Sequence, residues 1–276
     1  MLERLRMKYK LLVLDIDGTF IGKDGNISVE DREALAKVRQ SGIQVSLSTG
    51  RVVQACLKII KQLSLDGYHM FFDGAVVSKA SDGSEIYVQP IKQGVVKQAV
   101  EFVHRYDIYL ELFSSNHYFV ERESWASEIR SSFFGIEATV VDFTDLWKRE
   151  RIVKAQLIAS SPQEATKAKK FYTHFDGKLR FSWAKTPAYP DIDFINVIAP
   201  EVSKGRALEA LVSYLGIKMD EVMAVGDGNN DIPLLKSAGL AVAMGDAPDE
   251  VKAVADYITL DVDHNGLAAA IEKYLL

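Results

Sequence analysis

Two aspartates spaced two apart, Asp15 and Asp17, end the apolar run Leu11-Leu12-Val13-Leu14 and are followed by Gly18 and Thr19. Four apolar residues without polar alternation describe a strand buried on both faces, as a parallel sheet requires. Residues at i and i+2 of a strand leave the same face, so the two carboxylates stand together as long as the strand continues. Like charges that close call for a proton or a cation between them, and Mg²⁺ is the implied cation. Alone, an Asp-x-Asp pair reads as a solvated turn after a strand. Matching fragments downstream change that reading.

Ile43-Gln44-Val45-Ser46-Leu47 runs into Ser48-Thr49-Gly50-Arg51, and Val222-Met223-Ala224-Val225 runs into Gly226-Asp227-Gly228-Asn229-Asn230-Asp231. Between them, Val202-Ser203-Lys204-Gly205-Arg206 opens a helical pattern with Ser203 as its N-cap. An acid pair, a hydroxyl, a lysine and a second acid pair, three of the four at strand ends, have the parts of a phosphoryl-transfer site. The carboxyl ends of parallel strands are where open α/β sheets bind ligands.

The elements that must position these residues alternate. A helix is expected from about Ser28 to Gln40 with Gly42 as its stop, then a strand at Ile43–Leu47, a helix near Val52–Gln62 and a third strand at Tyr68–Phe72. From Lys204 the rhythm returns: helix, strand at Val222–Val225, helix from Ile232, strand at Leu240–Ala243, helix at Pro248–Val254, short strand at Tyr257–Thr259 and a last helix. That is an α/β fold, a doubly wound parallel sheet of Rossmann-like order. The middle, about Asp82 to Pro190, pairs strands near Tyr109–Phe113, His117–Val120, Val153–Ala159 and Leu179–Trp183 between helices at Val95–Arg105 and Pro162–His174. This predicts an inserted α+β module with an antiparallel sheet, hinged at Ser81-Asp82-Gly83 and Pro187–Pro190. Residues 1–81 and 191–276 then form the core and 82–190 the insert.

With these motifs in this order, the chain resembles the haloacid dehalogenase superfamily, and within it the Cof-type phosphatases with a large cap between the second and third motifs. The resemblance covers essentially the whole chain, including Asn265-Gly266-Leu267-Ala268 before the last helix. It implies a Mg²⁺-dependent phosphatase acting on a small phosphorylated metabolite, with phosphosugars as the usual territory. Asp15 is then the nucleophile that forms an aspartyl-phosphate. Asp17 is the general acid and base, with its backbone carbonyl as a metal ligand. Asp227 is the other metal carboxylate, and Asp231 supports that shell through water or hydrogen bonds. Thr49 and Gly50 bind the phosphate, with Ser48 competing for the hydroxyl role. Lys204 supplies a point charge, and Asn230 reaches the same oxygens. Arg51 is open between a salt-bridging and a functional role.

Two departures stand out. The family commonly has Asn-Gly-Ala after the third strand, and here it is Asp73-Gly74-Ala75. A carboxylate there repels a dianionic phosphate, so a substrate hydroxyl or a shifted specificity is expected instead. Ile16 and Phe20 replace leucines, conservatively. A phosphomutase uses the same aspartates and is the nearest rival; a noncatalytic phospho-ligand sensor is a third reading. Dehalogenase chemistry does without the acid that Asp17 provides. The loop at Asp227 has the acid and amide spacing of a calcium loop, but Ile232 stands at its glycine and Ala238 at its bidentate glutamate. Ser203-Lys204-Gly205 lacks the glycine-rich approach of a nucleotide-binding P-loop. In the insert, Tyr109, Phe113, Tyr118 and Trp183 are expected to pack, while Glu111, Asn116 and His117 are candidate substrate contacts near a hairpin.

Composition agrees with an ordinary globular protein. The 276 residues are 48% hydrophobic and 26% charged, with a net charge of −5 that offers no basic surface for nucleic acid. Cys56 is the single cysteine, which excludes an internal disulfide framework and points to a reducing cytoplasm. No apolar stretch reaches the roughly 18 residues of a membrane helix. The basic segment Met1–Lys10 lacks the apolar region of a signal peptide. The five histidines are scattered without metal-ligand spacing. Oligomeric state is not legible.

Overall fold

Leu11–Leu14 is a strand with all four residues buried, because it has a parallel neighbour on each side: Val222–Gly226 and Gln44–Leu47. The structure, a computed structural model, describes residues 8–22, 25–186 and 189–276. The parallel sheet runs Tyr257–Ile258, Leu240–Ala243, Val222–Gly226, Leu11–Leu14, Gln44–Leu47. The uninterrupted apolar runs of the sequence are thus its central strands, as expected for strands covered on both faces. Val13, Met70, Leu208, Leu211 and Ala224 belong to the core around it.

The helices begin and end where local chemistry dictates. Ser28 caps Val29–Gln40 by accepting from the Asp31 N–H, and Ser203 caps Lys204–Leu215 by accepting from the Arg206 N–H. Gly216, in the left-handed conformation at φ +65°, ends the second of these. Val53–Gln62 follows the Gln44–Leu47 strand as expected.

Beyond Gln44–Leu47 the strand Tyr68–Phe71 joins through a single parallel bridge between Ser48 and Met70. Side chains take over where backbone pairing stops. Ser46 Oγ donates to the Tyr68 carbonyl at 2.8 Å, and the Leu47 N–H donates to His69 Nδ1 at 3.2 Å. Tyr68–Phe71 then pairs antiparallel with Val76–Lys79, followed by Glu85–Val88. These two strands were not legible. The expected hinge Ser81-Asp82-Gly83 is instead a turn next to them: the Lys79 N–H donates to the Ser84 carbonyl, and Gly83 has φ +73°. The expected strand end at Phe72 is also corrected, since Phe72 leaves the strand for a turn at φ +53°.

The chain divides into two compact units, one comprising the residues up to Arg51, Cys56–Tyr87 and Ser203–Leu276, the other Val52–Ala55 and Val88–Val202. The second unit is α+β. Its sheet runs Arg180–Thr186, Tyr189–Ile198, Lys154–Ala159, Leu110–Phe113, Tyr118–Val120, Ala138–Val140, antiparallel except for the last pair. Helices Gln93–Tyr106 and Pro162–Phe175 bring Phe102, Phe171 and Phe175 together in an aromatic cluster. The ten-residue strand Tyr189–Ile198 was missed, because Pro190, Asp191 and Asp193 look like a linker. Alternation decides it: Ile195 and Val197 are buried. Residues from Asp191 to Val202 therefore belong here and not to the core. Of the expected hinge Pro187–Pro190, Pro187 and Ala188 lie outside the described residues. Helix Trp125–Phe134 was likewise not anticipated. Among the described residues no helix is long and apolar enough to cross a membrane.

Candidate active site

Parallel pairing continues one residue past the Leu11–Leu14 strand, where the Asp15 N–H donates to the Val225 carbonyl at 3.0 Å. This delivers the Asp15 side chain to the end of two adjacent strands, 7% exposed. The chain then folds back tightly, with the Gly18 N–H donating to the Ile21 carbonyl. Gly18 has φ +83°, and a Cβ there would lie 2.3 Å from Asp227 Oδ2. Both the conformation and the approach of the Asp227 loop require glycine. Thr19, fully buried, donates its hydroxyl to Asp227 Oδ1 at 3.1 Å.

Asp231 is equally enclosed. Its Oδ2 accepts from the N–H groups of Asp227 (3.1 Å) and Gly228 (2.9 Å). Its Oδ1 accepts from Lys204 Nζ at 2.5 Å. The same ammonium donates to Asp15 Oδ1 at 2.6 Å. Lys204 stands at the first turn of its helix, 1% exposed, and the helix lies close against its neighbour because a Cβ on Gly205 would meet the Pro233 carbonyl at 2.6 Å.

One buried ammonium thus faces three carboxylates, and the imbalance governs the electrostatics. Burial pushes the Asp15 carboxyl well above the usual range, with Asp231 and Asp227 adding to it against the opposing charge of Lys204. Burial, then Asp231, pushes Asp227 up to about 6. Burial alone would lower Lys204, but Asp15, Asp231 and Asp73 together hold it above its ordinary value, so it stays charged.

A divalent cation would correct this excess of negative charge. Asp15, Asp227 and Asp231 offer oxygens that all lie within 4.8 Å of one another, an all-oxygen donor set suited to a hard cation. Among the described residues, Asp15 Oδ2 and Asp227 Oδ2 have no hydrogen-bond donor, whereas both oxygens of Asp231 already accept from the protein. The residues present therefore fit a metal ion.

Asp17 stands apart. Its side chain is 58% exposed and forms a bidentate pair with Arg51, whose Nε donates to Oδ2 at 2.9 Å and whose Nη2 donates to Oδ1. The salt-bridging alternative for Arg51 is the one found. Of the two hydroxyls after Gln44–Leu47, Ser48 Oγ is buried without a partner among the described residues, while Thr49 Oγ1 accepts from the Arg51 N–H at 3.1 Å.

The loop after Tyr68–Phe71 completes the group. Phe72, Asp73 and Gly74 have φ of +53°, +57° and +92°, three successive residues in left-handed territory. For a non-glycine residue this costs roughly 1–2 kcal/mol, and for a bulky one such as Phe72 it is a true outlier. The loop is held on both sides: the Asp73 N–H donates to the Thr49 carbonyl at 3.0 Å, and a Cβ on Gly74 would lie 2.5 Å from the Ser203 carbonyl. Asp73 Oδ1 accepts from Asn230 Nδ2 at 2.9 Å, and a Cβ on Gly50 would meet the same oxygen at 3.0 Å. Thr49, Gly50 and Asn230 are therefore linked through Asp73, the residue that departs from the family's asparagine. Thr19 received no role at all, and its place two residues after Asp17 was the available signal.

In the second unit, Glu111 does not fit its expectation as a substrate contact. It is fully buried, accepting from Tyr118 Oη at 2.5 Å and from Arg130 Nε at 3.1 Å. Phe113 and Tyr118 stack as expected of packing aromatics, while Trp183 is 51% exposed. Cys56 is buried in its helix, its thiol pushed up to about 12 by burial.

A family model described as haloacid dehalogenase-like hydrolase matches residues 12–271. The putative phosphatase M6_Spy0533 of Streptococcus pyogenes is 29% identical over 287 residues, covering 98% of this chain and 100% of that protein. Phosphatase YwpJ of Bacillus subtilis is 27% identical, covering 97% of this chain and 100% of its own length. Among solved structures, the haloacid dehalogenase subclass IIB sugar phosphatase BT4131 superposes with a TM-score of 0.75 at 25% identity, over 96% of this chain and 98% of that one.

Proposed function

The chain belongs to the haloacid dehalogenase-like hydrolases, and on that footing we propose that it is a Mg²⁺-dependent phosphatase that hydrolyses a small phosphorylated metabolite, of sugar type, through a phosphoaspartate on Asp15. The observation that carries this reading is the buried grouping of Asp15, Asp227 and Asp231 around one lysine at the ends of adjacent parallel strands. The phosphatase names of the relatives support the reaction class, and the sugar phosphatase BT4131 supports the substrate class.

In this reading a carboxylate oxygen of Asp15 attacks phosphorus while the ester P–O bond breaks. Lys204 donates to Asp15 Oδ1 at 2.6 Å, which orients the carboxylate and opposes the rise that burial imposes on it. Asp17 gives a proton to the departing alkoxide, then takes one from the water that attacks the phosphoaspartate, so that phosphate leaves and Asp15 is regenerated. To do so the Asp17 carboxylate leaves its pair with Arg51. Thr49, Gly50 and Asn230 hold the phosphoryl oxygens through hydroxyl, backbone and amide donors. Asp15, Asp227 and the Asp17 carbonyl would hold the Mg²⁺, with Asp231 fixing the Asp227 loop from behind; bound there, the ion neutralises charge as it develops on the phosphoryl oxygens. The α+β unit is the cap in this reading.

The test is phosphate release from a panel of sugar phosphates and para-nitrophenyl phosphate, with Mg²⁺, with EDTA, and with the Asp15→Asn variant. Release that needs Mg²⁺ and disappears in Asp15→Asn is expected. Conversion of a hexose phosphate to an isomer with little free phosphate would mean a mutase. A phosphoenzyme that never turns over would mean a sensor.

A further inference from the structure

The loop Phe72-Asp73-Gly74 holds a left-handed backbone at two non-glycine residues. Strain of this kind persists only where surrounding contacts impose it, and it concentrates at functional sites. Here it carries one side chain, Asp73, into the group of residues assigned to the phosphate. Gly50 has no Cβ to keep the carboxylate away, Asn230 donates to one of its oxygens, and its negative charge acts on Lys204. The second oxygen, Oδ2, has no hydrogen-bond donor among the described residues, and the side chain is only partly buried.

An anion site gains nothing for its anion from a carboxylate at its edge. The carboxylate repels the phosphate and any further negative charge the substrate carries, and it attracts a donor. We propose that Asp73 determines specificity: its free oxygen accepts a hydrogen bond from a hydroxyl or ammonium group of the substrate close to the phosphate, and its charge rejects phosphoesters that carry a carboxylate there. The substrate class is then a polyol or amino-alcohol phosphate and not a phospho-acid. This rests on the phosphatase reading and narrows it.

Three esters of similar size test it: glycerol 3-phosphate, 3-phosphoglycerate and propyl phosphate, compared by kcat/KM in the wild type, Asp73→Asn and Asp73→Ala. Asparagine tolerates the left-handed region and still accepts from Asn230, so the first variant removes charge and keeps the loop. The wild type is expected to prefer glycerol 3-phosphate over each of the others by tenfold or more. Asp73→Asn should cut the preference over 3-phosphoglycerate at least fivefold and retain most of the preference over propyl phosphate. Asp73→Ala should lose both. Hydrolysis with all ratios within twofold of wild type in both variants overturns the role of Asp73 while leaving the phosphatase reading intact. No hydrolysis of any ester, or of para-nitrophenyl phosphate, by the wild type overturns both.

Discussion

Thr19 and Asp227, 208 positions apart in the chain, share a hydrogen bond of 3.1 Å that ties the loop after the first strand to the loop after Val222–Gly226. The bond takes one oxygen of Asp227, leaving the other to face Gly18. A carboxylate oriented by a neighbour is a better-placed ligand than a free one.

Replacing Thr19 by Val removes that orientation at nearly constant volume. The Mg²⁺ concentration for half-maximal phosphate release is expected to rise roughly 10- to 100-fold, as for loss of other supporting partners of a ligand. A Mg²⁺ titration of phosphate release checks this. An unchanged half-saturation point would show that Thr19 does not support the proposed metal site.

Among the described residues, Lys204 is the only cation in contact with the buried Asp15 and Asp231. Lys204→Met leaves two buried carboxylates without it, a change that typically costs about 3–5 kcal/mol. Urea unfolding should show this loss, and the double variant Asp15→Asn/Lys204→Met should recover part of it, since one of the stranded charges is then gone. A double variant less stable than Lys204→Met would contradict the pairing.

His69 ties stability to pH. It is fully buried, its Nδ1 accepts from the Leu47 N–H, and its Nε2 lacks a partner among the described residues. Burial lowers its pKa from 6.5 to about 4. A depressed histidine pKa means that the unfolded chain takes up the proton first, so stability is complete above about 6.5 and erodes as the pH falls toward about 4. Each pH unit crossed between those two values costs about 1.36 kcal/mol, so the loss from pH 7 to pH 5 comes to about 2 kcal/mol. Between the two pH values the change in urea midpoint should be less favourable in wild type than in His69→Gln by this amount, on top of the opposite slope that the raised carboxyls Asp15 and Asp227 give to both.

Asp31, buried on the first long helix, accepts from the Ala268 N–H at the start of the last helix at 2.8 Å. Asp31→Ala strands that donor and should destabilise by about 1–3 kcal/mol, with kcat/KM unchanged. Thermal unfolding and a kinetic assay side by side separate the two effects. A loss of activity at full stability would be the wrong outcome.

The alternating helices and strands, the buried central strands and the capping serines were legible because each depends on neighbours within a few residues: hydrophobic period, N-cap chemistry and glycine at helix ends. Asp15 and Asp227 stand out locally as acids at the ends of apolar runs, and Lys204 as the residue after a capping serine, but their meeting around one ammonium is a property of the fold. Less was visible wherever a residue's partner is remote. Tyr189–Ile198 has the composition of a linker and becomes a strand because Lys154–Ala159 and Arg180–Thr186 pair with its two edges. Asp17 and Arg51 meet across a gap of 34 positions, and Thr19 and Asp227 across 208. Asp73 could be noticed in the sequence but not placed, because its left-handed backbone is imposed by contacts with Thr49 and with the Ser203 carbonyl beside Gly74. Periodicity and capping are properties of a short stretch of chain, whereas which carboxylate is free, which is paired and which is strained into place depends on contacts that exist only once the chain has folded.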